Sequence, residues 1–111
     1  MNRETRKSLI TAYKERKAAA GLYAVECLAT GAQWAGQAAD LSSIWNRHDF
    51  TLRQGLHRHA GLQAAWRVHG PDAFRFTILE TIDEDTPAFA VDRLLAERLA
   101  HWCAKLKAAR L

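Results

Sequence analysis

The sequence predicts an α+β domain, a small three-stranded antiparallel sheet flanked by helices. Residues 21–37 hold two alternating stretches around a glycine turn, which reads as a hairpin. A third alternating stretch follows Pro71. Elsewhere the apolar residues recur every three or four positions, as one face of a helix requires. Three strands make a sheet too small to bury itself, so the helices must cover it.

Each element has its own signal. Residues 2 to about 18 read as a helix of strong formers with a short stripe of Leu9, Ile10 and Tyr13, stopped by Gly21. "LYAVECL" alternates Tyr23, Val25 and Cys27 against Leu22, Ala24 and Glu26. "ATGAQ" is a turn centred on Gly31, and "QWAGQA" is the returning strand. Asp40 is a good N-cap for a helix over 41 to about 54, whose Leu41, Ile44, Trp45, His48 and Leu52 share a face. Gly55 ends it. A shorter helix in "HAGLQAAWRVHG" aligns Leu62, Ala65, Trp66 and His69 and closes at Gly70. The third strand alternates Phe74, Phe76 and Ile78. The last helix starts at Thr86-Pro87 and carries Leu95, Leu99, Trp102 and Leu106 on one stripe to the end of the chain.

The chain has 111 residues, 49% of them hydrophobic, which suits one globular domain. It divides into an N-terminal basic helix, 1–20, and a body, 21–111. No apolar run approaches the ~20 residues of a membrane helix, and "MNRETRKSLITAYKERK" has no signal core, so no membrane partner is expected and the expected location is cytoplasmic. Cys27 and Cys103 show no CxxC pairing and imply neither zinc nor a disulfide framework. The formal charge is +4. Arg47, Arg53, Arg58, Arg67 and Arg75 crowd residues 47–75 with His57, His59 and His69, while acidic residues gather in 80–92. That asymmetry predicts a basic face able to meet DNA or RNA.

Several stretches carry a resemblance. "GLY" and "WAG" stand one hairpin apart, and the second continues as "WAGQAADLSSIWNRH". "GLHRHAGLQAAWRVHGPDAFRFTILE" and "LLAERLAHWCAKL" follow. From Gly21 to about Leu106 the chain resembles the GIY-YIG endonuclease domain. The resemblance implies phosphodiester cleavage by an Arg on the first helix after the hairpin. It also implies a Glu on the final helix that holds a divalent metal, with two tyrosines and a His or Tyr that position or activate water. Tyr23, Gly36, Gln37, Trp45, Arg47 and His48 match that pattern. The Arg falls on Ile44, the Glu on Leu99, and the second tyrosine on Trp34. Ile44 cannot meet the charge that builds on phosphoryl oxygens, and Leu99 offers no oxygen to a metal.

The expected function is therefore a catalytically degenerate GIY-YIG-like module that binds nucleic acid without cutting it. Two alternatives stand beside it. One is an active metal-dependent nuclease with a relocated site. Its candidate residues are Tyr23, Trp34, Arg47, His48 and Glu97, with His48 as general base. The other is a protein-interaction module in which Ile44, Leu99 and Trp34 form an exposed apolar patch. The candidates for nucleic-acid contact are Arg47, Arg53, His57, Arg58, His59 and Arg67, centred on "RQGLHRH". Trp34 can stack a base if it is exposed. Trp45, Trp66 and Trp102 are expected in the core. No cofactor is expected, and Mg²⁺ or Mn²⁺ enters only under the nuclease alternative. On the degenerate reading Ile44 and Leu99 should face one region of the surface.

Overall fold

The computed structural model describes residues 19–111. The helix expected over 2–18, with its basic residues, lies outside them. Strands β1 (Gly21–Cys27) and β2 (Gln33–Ala38) form the expected antiparallel hairpin, with Tyr23 opposite Gly36. Helices α1 (Leu41–Arg53) and α2 (Ala60–His69) follow, then a single 3₁₀ turn at Pro71–Ala73. Strand β3 (Phe74–Thr81) pairs antiparallel with the other side of β1. Helix α3 (Ala88–Leu106) comes next. The expectation that helix continues to the end of the chain is corrected here. Lys107 takes a left-handed conformation (φ 55°), the chain turns, and β4 (Ala109–Arg110) pairs parallel with β2 at Trp34 and Ala35. Among the described residues the sheet therefore has four strands, in the order β3-β1-β2-β4. "LKAARL" is made of good helix formers, and only tertiary pairing diverts its end into a strand.

Period-two alternation sorts the core into two clusters on opposite faces of the sheet. Tyr23, Val25 and Cys27 of β1 and Trp34 and Ala38 of β2 face α1 and α2, meeting Leu41, Leu52, Leu62 and Trp66. Leu22 and Ala35 face the other way and meet Leu95 and Leu99 of α3 with Ile82. Ile78, which alternates with Phe74 and Phe76 in the sequence, is 51% exposed. The β1–β3 register slips between Leu22 and Tyr23 beside it, so the regular alternation of β3 does not hold there. Among the described residues no helix is long and apolar enough to cross a membrane.

The two motif glycines are explained by packing. A Cβ on Gly36 would stand 2.5 Å from the Tyr23 hydroxyl and 2.7 Å from the adjoining ring carbon. The Tyr23 side chain lies across its cross-strand partner, and only hydrogen leaves room for it. A Cβ on Gly21 would collide with the Glu80 carbonyl and stand 2.7 Å from Leu41 Cδ1. Both glycines thus mark places where another part of the chain lies against β1 or β2.

Candidate nucleic-acid interface

A cleft of about 710 Å³ opens between the Tyr23 face of the sheet, the N-terminal half of α1 and the α1–α2 loop. Tyr23 lies at its base, Ile44, Arg47 and His48 come from α1, and His57, Arg58 and His59 come from the loop. Each is placed by local chemistry. Asp40 caps α1: its carboxylate accepts from the Ser42 N–H at 3.0 Å, the Ser42 hydroxyl at 2.6 Å and the Ser43 hydroxyl at 3.2 Å. Those bonds hold the Asp40 carboxyl below the usual carboxylate range, the Ser42 side-chain bond most of all. Arg47 and His48 follow one to two turns along, on the rim and inner face of the helix.

The loop is pinned from beneath by Gln63. This residue is 5% exposed, donates through Nε2 to the Leu52 carbonyl at 3.1 Å, and accepts the His57 N–H through Oε1 at 2.9 Å. His59 caps α2, its Nδ1 accepting the Leu62 N–H at 3.2 Å. Between these two anchors Arg58 projects from a clamped backbone.

Three side chains join in series. The Tyr23 hydroxyl meets His48 Nε2 at 2.6 Å, and His48 Nδ1 meets His57 Nε2 at 2.8 Å. The His59 N–H donates to His57 Nδ1 at 3.0 Å. Burial pushes the Tyr23 hydroxyl up to about 12, against the pull of Arg58. Burial, with His57, Arg58 and Arg47 behind it, pushes His48 down to about 4. His57 is lowered as well, by burial first and then by His59 and Arg58. At neutral pH both imidazoles are uncharged, and the cleft's positive charge rests on the guanidinium groups.

Of the residues expected to contact nucleic acid, Arg47, His57, Arg58 and His59 line this cleft. Arg53 and Arg67 do not. Arg53 is paired with Asp49 at 2.9 Å and lies over the Trp66 ring, and Arg67 reaches the Gly55 carbonyl at 3.4 Å. Among the described residues no carboxylate pairs with Arg47 or Arg58. Of the catalytic candidates, Tyr23, Arg47 and His48 meet there, and Trp34 and Glu97 are elsewhere. Trp34 is 6% exposed, edge-on to His59 and packed near Phe74, so no base can stack on it. Glu97 sits on α3, on the far side of the sheet, paired with Arg93 at 3.6 Å.

Two further expectations are corrected. Ile44 packs against the α1/α2 cluster, whereas Leu99, 3% exposed, is sealed in the α3 cluster across the sheet. The two do not face one region. For the same reason Ile44, Leu99 and Trp34 form no exposed apolar patch, since two of the three are buried. Trp102 is only partly buried and uses its indole N–H to bond Glu80 Oε1 at 2.9 Å, where Arg98 Nε also donates. Gln63 and Asp40 organise the cleft; Asp40 was legible as a cap, but Gln63 was not. Its only signal was an amide next to Leu62 in the apolar stretch of α2.

A hard divalent cation requires carboxylate oxygens. Among the described residues Asp40 is the only acidic side chain lining the cleft, and its two oxygens are already engaged by Ser42 and Ser43. Among the described residues no group of three or more His, Cys, Asp or Glu side chains is placed to hold a metal. The donor set of the cleft does not fit a catalytic Mg²⁺ or Mn²⁺.

The fold is a small α+β domain whose topology matches that of a GIY-YIG-like catalytic domain. The chain is structurally homologous to the GIY-YIG endonuclease domain of I-TevI. It superposes on the catalytic domain of homing endonuclease I-TevI with a TM-score of 0.69 and 26% identity, over 83% of this chain and 97% of that one. A point mutant of the catalytic domain of intron endonuclease I-TevI gives a TM-score of 0.68 and 28% identity, over 80% and 84%. Sequence comparison finds no matching family model and no matching curated protein.

Proposed function

We propose that this chain is a nuclease-like module that holds nucleic acid through the Tyr23–Arg58 cleft and does not cut it. The observation that carries this reading is the composition of the cleft. Two arginines without described carboxylate partners and three histidines surround a hydroxyl, and among the described residues no acidic side chain there is free. Such a surface attracts a phosphate backbone through Arg47 and Arg58. Cleavage asks for more. Charge building on the phosphoryl oxygens must be met, and water must be activated. Position 44 is Ile, Glu97 lies across the sheet, and Tyr23 and His48 have shifted away from the neutral pH at which a general acid or base works best. The homology to an endonuclease catalytic domain supports nucleic acid as the partner.

The test is incubation of the protein with labelled single- and double-stranded DNA and Mg²⁺ or Mn²⁺. Bound, uncut DNA whose affinity falls steeply with salt is the expected result. Metal-dependent cutting that disappears on changing Arg47 or Glu97 would instead establish the relocated nuclease.

A further inference from the structure

Hydrogen-bond direction along the Tyr23–His48–His57 series follows from one fixed donor. The His59 main-chain N–H can only donate, so His57 Nδ1 must present a lone pair to it. An uncharged His57 then carries its hydrogen on Nε2, which faces His48 Nδ1 at 2.8 Å. His48 Nδ1 must in turn accept, and the hydrogen of an uncharged His48 lies on Nε2, 2.6 Å from the Tyr23 oxygen. Tyr23 therefore accepts. The reverse direction would place a hydrogen on His57 Nδ1, facing the His59 N–H. A proton added to His57 creates the same clash.

We infer that the His59 main-chain N–H locks a one-way series, His57 to His48 to Tyr23, that leaves the Tyr23 hydroxyl hydrogen to be donated to a phosphoryl oxygen at the base of the cleft, which Tyr23 lines although only 2% exposed. The ligand half of this statement rests on the proposed function, whereas the lock rests on geometry alone. It makes Tyr23 a donor to the ligand while His59, through His57 and His48, acts as a positioning residue. Among the described residues, the charged and titratable groups lining the cleft around the series are Asp40 from the start of α1, Arg47 from α1, and Arg58 and His59 from the loop. Asp40 is held by its serines and offers the series no competing acceptor.

Long-range ¹H–¹⁵N correlation spectra of the unliganded protein at neutral pH read the tautomers directly. Both His57 and His48 should carry hydrogen on Nε2. The Nδ1–H form at either residue overturns the lock, whatever the protein binds. His59→Ser keeps the main-chain N–H and an N-cap oxygen, and should leave the pattern unchanged. His59→Pro, at a φ of −87° close to what proline takes, removes the donor and should release it. An unreleased pattern in a folded His59→Pro protein also overturns the lock.

The ligand arm uses a short single-stranded DNA and inorganic phosphate as probes, with Tyr23→Phe as the variant. The hydroxyl's bond to a charged oxygen predicts roughly tenfold weaker binding by Tyr23→Phe. A response to both probes assigns the ligand to phosphate as such, and a response to DNA alone assigns it to the polynucleotide. Binding by wild type that Tyr23→Phe leaves intact overturns the donor role. Absence of binding to either probe overturns both this half and the proposed function, while the tautomer result stands separately.

Discussion

On one face of the sheet Tyr23, His48 and His57 bond in series in a cleft that two arginines also line. On the other, Leu22, Ala35, Ile82, Leu95 and Leu99 pack without a polar group among them. Neighbouring residues of the same strands build both. Leu22 and Tyr23 are adjacent in sequence and separated by the thickness of the sheet. The contrast shows that polar chemistry and apolar cover are divided by strand parity, and that a charge placed on α3 at position 99 enters the apolar face and never reaches the cleft.

The largest effect should come from breaking that division. Leu99→Glu puts a carboxylate among aliphatic side chains, and should cost about 3–5 kcal/mol, since losing a buried leucine costs ~2–5 kcal/mol before any charge is added. Urea denaturation reads it. An unchanged midpoint, or a tight Mn²⁺ site gained by the variant, would put Leu99 on the cleft side. The double change Ile44→Arg with Leu99→Glu should likewise fail to make a nuclease, because its two charges sit on opposite faces.

Gly36→Ala comes next. The added methyl must displace the Tyr23 ring from its place over β2, at a cost of ~1–3 kcal/mol. Thermal unfolding measures the loss, and the His48 resonances should report the broken contact with Tyr23. The α3 face should be undisturbed.

The cleft face should also be the acid-sensitive one. His48 has an ordinary value of 6.5 and is held at about 4 in the fold. Between those values the unfolded chain takes up a proton that the folded chain refuses. Stability is therefore complete above about pH 6.5 and is lost as pH falls towards 4. Denaturation midpoints across that window should decline in the wild type and decline less in His48→Gln. Equal slopes would show that the buried imidazole is not the sensor.

The smallest effect compares arginines on the same side of the molecule. Arg58→Ala should lower the salt slope of DNA affinity by about 0.7–0.9, one phosphate's share. Arg53→Ala should change it less, because Asp49 already holds that guanidinium. The Arg53–Asp49 pair is solvent-exposed and should contribute at most ~1 kcal/mol to stability. Anisotropy titrations over a salt series rank the two.

Local pattern was enough for most of the fold. Alternation in 21–37 and 74–81 and the helical stripes with Leu41, Leu62 and Leu95 reported their elements because each is set by what one face must bury. The terminal strand was hidden, since Ala109–Arg110 owes its conformation to pairing with Trp34 and Ala35. Part of the cleft was legible as well: Arg47, His57 and Arg58 were named from charge and glycine placement and His48 from the motif resemblance, and all four line it. Trp34 and Glu97 were misplaced for a different reason. A motif position fixes a residue's place along the chain, while its face depends on parity, and parity sent Trp34 into the core and α3 to the far side. Gln63 was invisible because its role is to satisfy main-chain groups of α1 and the loop, which no one-dimensional pattern shows.

The hydrogen in place of a side chain at Gly36 has a consequence for how short signatures are interpreted. The Tyr23 ring needs that space to pack, whether or not any bond is ever cut beneath it. Gly21 has the same standing against the Glu80 carbonyl. A tripeptide signature built on these two positions is a certificate of shape. It will be carried by any descendant that keeps the hairpin, including one that has given up its chemistry. Position 44, on α1, lies outside it, and nothing in the hairpin's architecture dictates the residue there.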